Sequence, residues 1–224
     1  IMNGNLDGEE YVPSTIEEVA NTITHLIPAL LSIIILPSLF KMVANTEREL
    51  LSAQIYGGCC TLLFSISTLY HLSGIVFGKE TPVNNFFLKL DMTAIFAFIA
   101  ASYTPWGLLI DVGQDNVYGR SMITFIWLFA LFGTFKNLLG ILPNIPSLYV
   151  YLGMGWISAI YLLVLIGMIL GGKLHPLPSM WGIAEIFLGG FLYNIGTVVF
   201  KMDGKLPFAH AIWHIFVALA AAVH

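Results

Sequence analysis

Charged residues are scarce in this sequence of 224 residues. Asp, Glu, Lys and Arg make up only 10% of the chain, whereas hydrophobic residues make up 58%, well outside the averages of soluble globular domains. Nine Lys and Arg stand against thirteen Asp and Glu, and they form no basic run that could contact a line of phosphates. The composition therefore indicates an integral membrane protein and argues against nucleic acid as a partner.

Cysteine is also scarce, and no secretion signal is recognisable. Cys59 and Cys60 are neighbours within an apolar run, where a disulfide between them would be strained, so we interpret both as small buried residues. Residues 1–19 lack the features of a signal peptide and are interpreted as a short acidic tail. Because the chain begins at Ile1 and stops at His224 within an apolar segment, we expect the natural protein to extend beyond both ends.

Long apolar runs are abundant. A helix crosses about 30 Å of hydrocarbon with roughly 20 apolar residues, and seven runs reach this length, separated by short polar or turn-rich breaks. The sequence therefore predicts an all-α membrane protein, a seven-transmembrane helix bundle in which residues 20–224 form a single domain. The predicted spans are 20–43, 50–74, 84–107, 119–139, 147–171, 179–200 and 206–224.

Polar residues gather at one end of these predicted spans. If the spans alternate in direction, the starts of the first, third and seventh and the ends of the second and sixth lie on one membrane face. Ionisable groups inside a bilayer are costly and usually face the interior of a bundle or a water-filled cavity. Their concentration at one depth predicts a single site. The residues are Glu17, Glu18, Asn21, His25, Ser67, His71, Asp91, His210 and His214.

His210 and His214 lie four residues apart and therefore share a helix face. Such a pair can bind one ion, as in zinc metalloproteases, although hydrogen bonds to neighbouring helices explain an isolated pair equally well. His71, on the same membrane face, offers a third nitrogen. Three protein ligands with an open fourth position describe a catalytic zinc site, so these three histidines are the predicted ligands of Zn²⁺.

Two further residues on this face fit catalytic roles. Zinc lowers the pKa of bound water to about 7, and Asp91 is placed to act as the base or orienting acceptor for that water. A salt bridge with Lys89 is the alternative for Asp91. Ser67, one turn before His71, fits a donor to a substrate carbonyl or developing oxyanion, or a hydroxyl bonded to its own helix.

Two other polar residues receive structural interpretations. For His25, one turn after Asn21, we favour a local hydrogen-bonding role over a role in the site. Glu185 is the carboxylate deep within an apolar span, and a carboxylate facing lipid costs several kcal/mol. We therefore expect Glu185 to point inward and bond to another helix.

These motifs together resemble a known family. "STLYH" at 67–71, Asp91 and "HAIWH" at 210–214 are similar to motifs of the progestin and adipoQ receptor (PAQR) family, which includes the adiponectin receptors and the bacterial hemolysin III-like proteins. The corresponding family motifs are Ser-x-x-x-His, a helix 3 aspartate and a closing His-x-x-x-His. "FIAASYTPW" at 98–106 and "FKMDGKLPFAHAIWH" at 200–214 resemble the monocyte to macrophage differentiation factor branch, and the resemblance spans essentially the whole chain.

The resemblance implies an adiponectin-receptor-like bundle with a cytosolic amino terminus, in the plasma membrane, Golgi or another endomembrane. It also implies zinc just inside the cytosolic leaflet, bound by His71, His210 and His214, with Asp91 holding the water. Because adiponectin-receptor members are associated with ceramide hydrolysis, a membrane lipid such as ceramide is the implied substrate.

Three functions are compatible with these residues. The first is zinc-dependent hydrolysis of a lipid amide, with Asp91 and Ser67 as catalytic residues. The second is a signalling receptor or scaffold in which zinc is structural, with a protein ligand that the sequence does not identify. A transporter ranks last, because transport sites tend to lie near the midplane on broken helices and this cluster lies near helix ends.

Overall fold

The computed structural model describes residues 11–109, 116–172 and 180–224. Within these ranges the chain contains seven helices and no strand, and each predicted span falls on one helix, which confirms the all-α membrane architecture. Residues 1–10 of the predicted tail lie outside the described residues. The helices are α1 (Thr15–Val43), α2 (Glu47–Val76), α3 (Pro82–Leu109), α4 (Val117–Leu139), α5 (Ser147–Leu170), α6 (Met180–Phe200) and α7 (Ala209–Val223).

Six helices of the described chain, α1 to α6, are long and apolar enough to cross a membrane. The shortest of them, α6, has 21 residues, and a helix of that length measures about 31 Å at 1.5 Å per residue. This length matches the hydrocarbon core. The seventh helix is apolar and shorter, with 15 residues. The chain is therefore a multi-pass membrane protein.

The first helix begins earlier than predicted, because its start is fixed by a capping box. The backbone N–H of Ser14 donates to Glu17 Oε2 at 2.8 Å, and the N–H of Glu17 donates back to Ser14 Oγ at 3.3 Å. These two bonds satisfy N–H groups that a helix start otherwise leaves unpaired. Thr46 and Glu49 repeat the pattern at the start of α2. Helix α1 consequently includes residues that the sequence assigned to the tail.

The described chain forms two compact units. The first consists of Ile1–Leu31, Thr61–Asp91 and Met180–His224, and the second of Ser32–Cys60 and Met92–Ser179. All nine polar residues of the predicted site belong to the first unit. Whether residues 20–224 act as one domain stays a prediction.

The second unit is built around an apolar core contributed by α3, α4 and α5. Tyr151 brings a hydroxyl into this core, and the hydroxyl donates to the carbonyl of Met92 at 2.6 Å, so it is not left unpaired. Gly133 on α4 lies directly against the Phe96 ring. The core residues are Phe96, Ala100, Ile126, Ala130, Tyr151 and Met154.

In the first unit, α6 packs against α7 through glycines. A Cβ at Gly196 would contact Phe216 and Trp213, and a Cβ at Gly189 would overlap the His224 ring, so both glycines allow the close approach of helices that small residues permit in membranes. Glu185 lies one turn before Gly189. Its side chain is exposed and has no partner among the described residues, so the inward orientation expected for Glu185 is wrong.

We predict that Gly133→Ala destabilises the second unit, because the added Cβ would overlap the fully buried Phe96 ring. Overpacking of this kind costs about 1–3 kcal/mol and should lower the unfolding midpoint of the detergent-purified protein. Gly153→Ala is the matched control, since a Cβ there meets nothing within 4 Å. Equal midpoints for the two variants would contradict the packing described for Phe96.

Candidate metal centre

The structure brings the three predicted histidine ligands together. His71 comes from α2, and His210 and His214 come from one face of α7. One ligand atom from each ring lies within 4.8 Å of the others, and this is a group of the described chain that could hold a metal ion. His71 and His214 are buried, whereas His210 is partly exposed. The rings meet edge to face, with centroids 4.6 to 5.1 Å apart.

The orientation of His71 is set by Glu18. His71 Nδ1 lies 2.7 Å from Glu18 Oε2, and the other carboxylate oxygen lies 2.8 Å from Lys79 Nζ. Because a carboxylate only accepts hydrogen bonds, this contact assigns the proton to Nδ1 and leaves a lone pair on Nε2. That Nε2 is buried without a hydrogen-bond partner in the described chain. A carboxylate on one ring nitrogen and an unpaired second nitrogen is the usual arrangement of a metal-ligating histidine.

The other two histidines are held in a similar way. His214 Nδ1 lies 3.1 Å from the backbone oxygen of Asn21 and 3.1 Å from Thr24 Oγ1. His210 Nδ1 lies 3.5 Å from Asp203 Oδ2, which is too long for a strong hydrogen bond and orients the ring less tightly. In all three rings an oxygen faces Nδ1, so Nε2 is the nitrogen left for a common ion.

The donor set fits zinc in its chemistry. Three neutral imidazoles are ligands of catalytic zinc, and at zinc–nitrogen distances of about 2.0–2.1 Å a tetrahedral site places its ligand atoms roughly 3.3 Å apart. The histidine atoms lie within 4.8 Å of one another, a limit that includes this spacing. His210, with the longest contact to its oxygen partner, is the least tightly oriented of the three rings.

A side chain of α1 binds the backbone at the start of α7. The backbone N–H of Phe208, the residue before α7, donates to Glu17 Oε1 at 3.2 Å. A carboxylate at this end also complements the positive end of the helix dipole. The Tyr11 hydroxyl donates to the same oxygen at 2.6 Å. Burial and this hydrogen bond raise the pKa of the Tyr11 phenol above its usual range.

Asp91 and Ser67 lie together at this site. The Asp91 carboxylate interacts with the Ser67 hydroxyl and, through its charge, with His210. Ser67 is buried. The alternative ion pair between Asp91 and Lys89 is not among the contacts of the described residues. Both predicted catalytic residues are therefore next to the histidine cluster.

His25 also belongs to this cluster, although the sequence favoured a local role for it. Its ring stacks on that of His214 with centroids 3.6 Å apart and an angle of 14° between the planes. Among the described residues, neither ring nitrogen of His25 has a local hydrogen-bond partner. The ring therefore packs against the histidine cluster and makes no local hydrogen bond, and whether His25 takes part in the site stays a prediction.

The residues that hold the histidines were only partly visible in the sequence. The sequence placed both Glu17 and Glu18 in the predicted polar group. Successive residues of a helix are rotated by about 100°, so the two side chains point in different directions. Glu18 contacts His71, whereas Glu17 contacts Phe208 before the start of α7. The sequence contained no signal for Asp203 beyond its position shortly before His210.

Known proteins resemble this chain over nearly its full length. A family model described as haemolysin-III related matches residues 14–224. The chain is 37% identical over 218 residues to human monocyte to macrophage differentiation factor, covering 96% of this chain and 84% of that protein. It is 36% identical over 204 residues to a hemolysin-3 homolog of Bacillus subtilis, covering 90% and 87%. It is 32% identical over 213 residues to hemolysin-3 of Bacillus cereus, covering 92% and 88%.

We predict that Glu18→Gln destabilises the protein, because the buried carboxylate accepts from both His71 and Lys79. Loss of charge-assisted bonds at a buried position costs on the order of 2 kcal/mol, which should lower the unfolding midpoint in detergent. Glu80→Gln is the control, because its side chain is exposed and such changes stay within about 0.5 kcal/mol. Indistinguishable midpoints would show that Glu18 does not hold His71.

Proposed function

The chain belongs to the haemolysin-III-related family, and from that premise we propose that it is a zinc-dependent hydrolase of a lipid amide such as ceramide. The observation that carries the proposal is the histidine cluster, in which one ring nitrogen of each histidine lies within 4.8 Å of the others and each Nδ1 has an oxygen beside it. Zn²⁺ held by three histidines supplies a Lewis acid and lowers the pKa of water to about 7. His71, His210 and His214 would hold the ion.

Asp91 and Ser67 supply the remaining chemistry. Asp91 interacts electrostatically with His210, and we assign its carboxylate the role of accepting the proton of the attacking water. Ser67 donates its one hydroxyl hydrogen to the Asp91 carboxylate in the resting site, and turns it to the carbonyl oxygen once Asp91 has taken up the water proton and negative charge develops there. The water oxygen bonds to the carbonyl carbon, the carbon–nitrogen bond breaks, and the proton on Asp91 passes to the leaving amine. The products are a fatty acid and an amine.

The depth of the site supports a membrane lipid as substrate. His71 lies five residues before the end of α2, and His210 is the second residue of α7, so both are within about 8 Å of a helix end at 1.5 Å per residue. The amide of a ceramide-like lipid lies at this boundary between head groups and acyl chains. We assign the amino terminus to the cytosol, in the plasma membrane, Golgi or another endomembrane, as the family resemblance implies.

A receptor or scaffold with structural zinc is the second candidate. The observation in its favour is that the three histidines join α2 to α7, while their oxygen partners on α1 tie in a third helix. A metal at this junction would contribute its binding free energy to folding. A signalling partner would then act elsewhere on the protein.

We predict that the detergent-purified protein contains about one zinc per chain, since one three-histidine site holds one ion. Elemental analysis of the wild type and of the His210→Ala, His214→Ala double variant measures this directly. The zinc should disappear in the variant. A well-folded wild type without zinc would rule out the metal site.

We predict that Asp91→Asn keeps its zinc but loses turnover of a short-chain ceramide by about 10²–10⁴-fold, the usual contribution of a positioned general base. The amide keeps the shape of the carboxylate and cannot accept the proton. Turnover is measured by release of the fatty acid, with zinc content determined on the same sample.

A zinc-containing wild type without turnover would favour the scaffold. Full turnover in Asp91→Asn would remove Asp91 from the mechanism.

A further inference from the structure

Buried polar atoms without partners gather beside the histidine cluster. Asn21 is 1% exposed and His25 is 3% exposed. In the part of the chain that the structure describes, neither the oxygen nor the nitrogen of the Asn21 side chain has a hydrogen-bond partner, and neither ring nitrogen of His25 has one. The two side chains lie four residues apart and so share a face of α1. Four polar atoms are thus left unpaired in one small region.

Unpaired buried polar groups are unfavourable, because they lose hydration and gain no bond in return. Native proteins therefore satisfy nearly all of them. Four on neighbouring side chains, next to a candidate catalytic centre, indicate a place built to bind a polar group that is not part of the chain.

The Asn21 side chain is not needed to hold the cluster. His214 Nδ1 contacts the backbone oxygen of Asn21, so the side-chain amide takes no part in that contact. The His25 ring stacks on His214 at 3.6 Å and meets Phe64 edge-on at 5.1 Å. These ring contacts do not use the polar atoms of either residue.

We propose that Asn21 and His25 form a subsite for the neutral head group of the lipid, an amide or hydroxyl that both donates and accepts hydrogen bonds. The identity of this ligand rests on the function proposed above. An amide side chain and a neutral imidazole each offer donors and an acceptor, which complements such a group.

A phosphate or carboxylate head group fits this subsite poorly. Neither residue carries a fixed positive charge. Glu18 lies one turn before Asn21, and its carboxylate is already paired with Lys79 at 2.8 Å. The Lys79 ammonium is therefore already paired, and the two residues of the subsite themselves offer only neutral donors and acceptors.

Two substitutions test the subsite without removing the contacts that hold the cluster. His25→Phe keeps a ring that stacks on His214, and Asn21→Leu keeps the backbone oxygen that His214 contacts. Each removes only unpaired polar atoms, so we expect the unfolding midpoint to stay unchanged or rise and the zinc content to stay at the wild-type level.

Binding is measured in the Asp91→Asn background, where the probe is not consumed. The probes are a short-chain ceramide and the same lipid methylated at its amide nitrogen and hydroxyls, titrated by tryptophan fluorescence. We expect the parent to prefer the unmethylated ceramide, and each substitution to weaken its binding by about tenfold, the loss of one hydrogen bond to a buried group. Binding of the methylated lipid should not change.

Phe64→Leu is the control for altered packing, because Phe64 contacts the His25 ring and has no polar atom. It should leave the preference between the two lipids intact. A parent that binds both lipids equally, or variants that keep its preference, would overturn the proposal and leave ordered water as the partner of these atoms. If both variants keep the preference for ceramide but their unfolding midpoints fall markedly, Asn21 and His25 have a structural role.

The test separates this subsite from the hydrolase function. A wild type without zinc or turnover, whose preference for ceramide is lost in the two variants, would retain the subsite and remove the hydrolase. Zinc and turnover in the wild type, together with an unaltered preference for ceramide in both variants, would retain the hydrolase function and remove the subsite.

Discussion

The contact between Glu18 and His71 is the interaction on which the site depends. A histidine inside a membrane helix has two polar ring nitrogens, and both are costly when unpaired. Glu18 satisfies one at 2.7 Å and receives Lys79 at its other oxygen. The second ring nitrogen is thereby presented to the other two histidines. One carboxylate thus joins α1 to α2 and defines which atom of His71 is available for chemistry.

Helix α1 contributes none of the three candidate ligands, yet it organises the site. Glu17 accepts the N–H that precedes α7, Glu18 orients His71, and the backbone of Asn21 contacts His214. These residues occupy little more than the first two turns of one helix. A small shift of α1 would consequently alter all of these contacts at once, so the start of this helix positions the candidate chemistry.

Both candidate functions, the hydrolase and the scaffold, use this arrangement of histidines and oxygen partners. They differ in which neighbouring residues they require. A purely structural metal needs ligands and their oxygen partners, and α1, α2 and α7 provide both. A structural metal requires neither the pair Asp91 and Ser67 nor the pair Asn21 and His25. A carboxylate that interacts with His210 and unpaired polar atoms next to His214 would have a direct use in the binding and cleavage of a substrate that we propose. These additional groups are the physical reason for favouring catalysis.

The sequence by itself determined the seven helices, because about 20 apolar residues are needed to cross hydrocarbon and the breaks between such runs are easily recognised. It also indicated the histidine cluster, Ser67 and Asp91, since helical spacing and alternating direction bring residues at known positions to one face. The capping boxes at Ser14 to Glu17 and Thr46 to Glu49 were present in the sequence, yet the predicted spans began later, at 20 and 50, than α1 and α2 do. Only the tertiary structure decided that Glu18 rather than Glu17 faces His71, that His25 stacks on His214, and that Glu185 is exposed. Those features depend on the rotation of each helix about its axis, and in a membrane the lipid is as apolar as the protein core, so hydrophobic periodicity carries little information about that rotation.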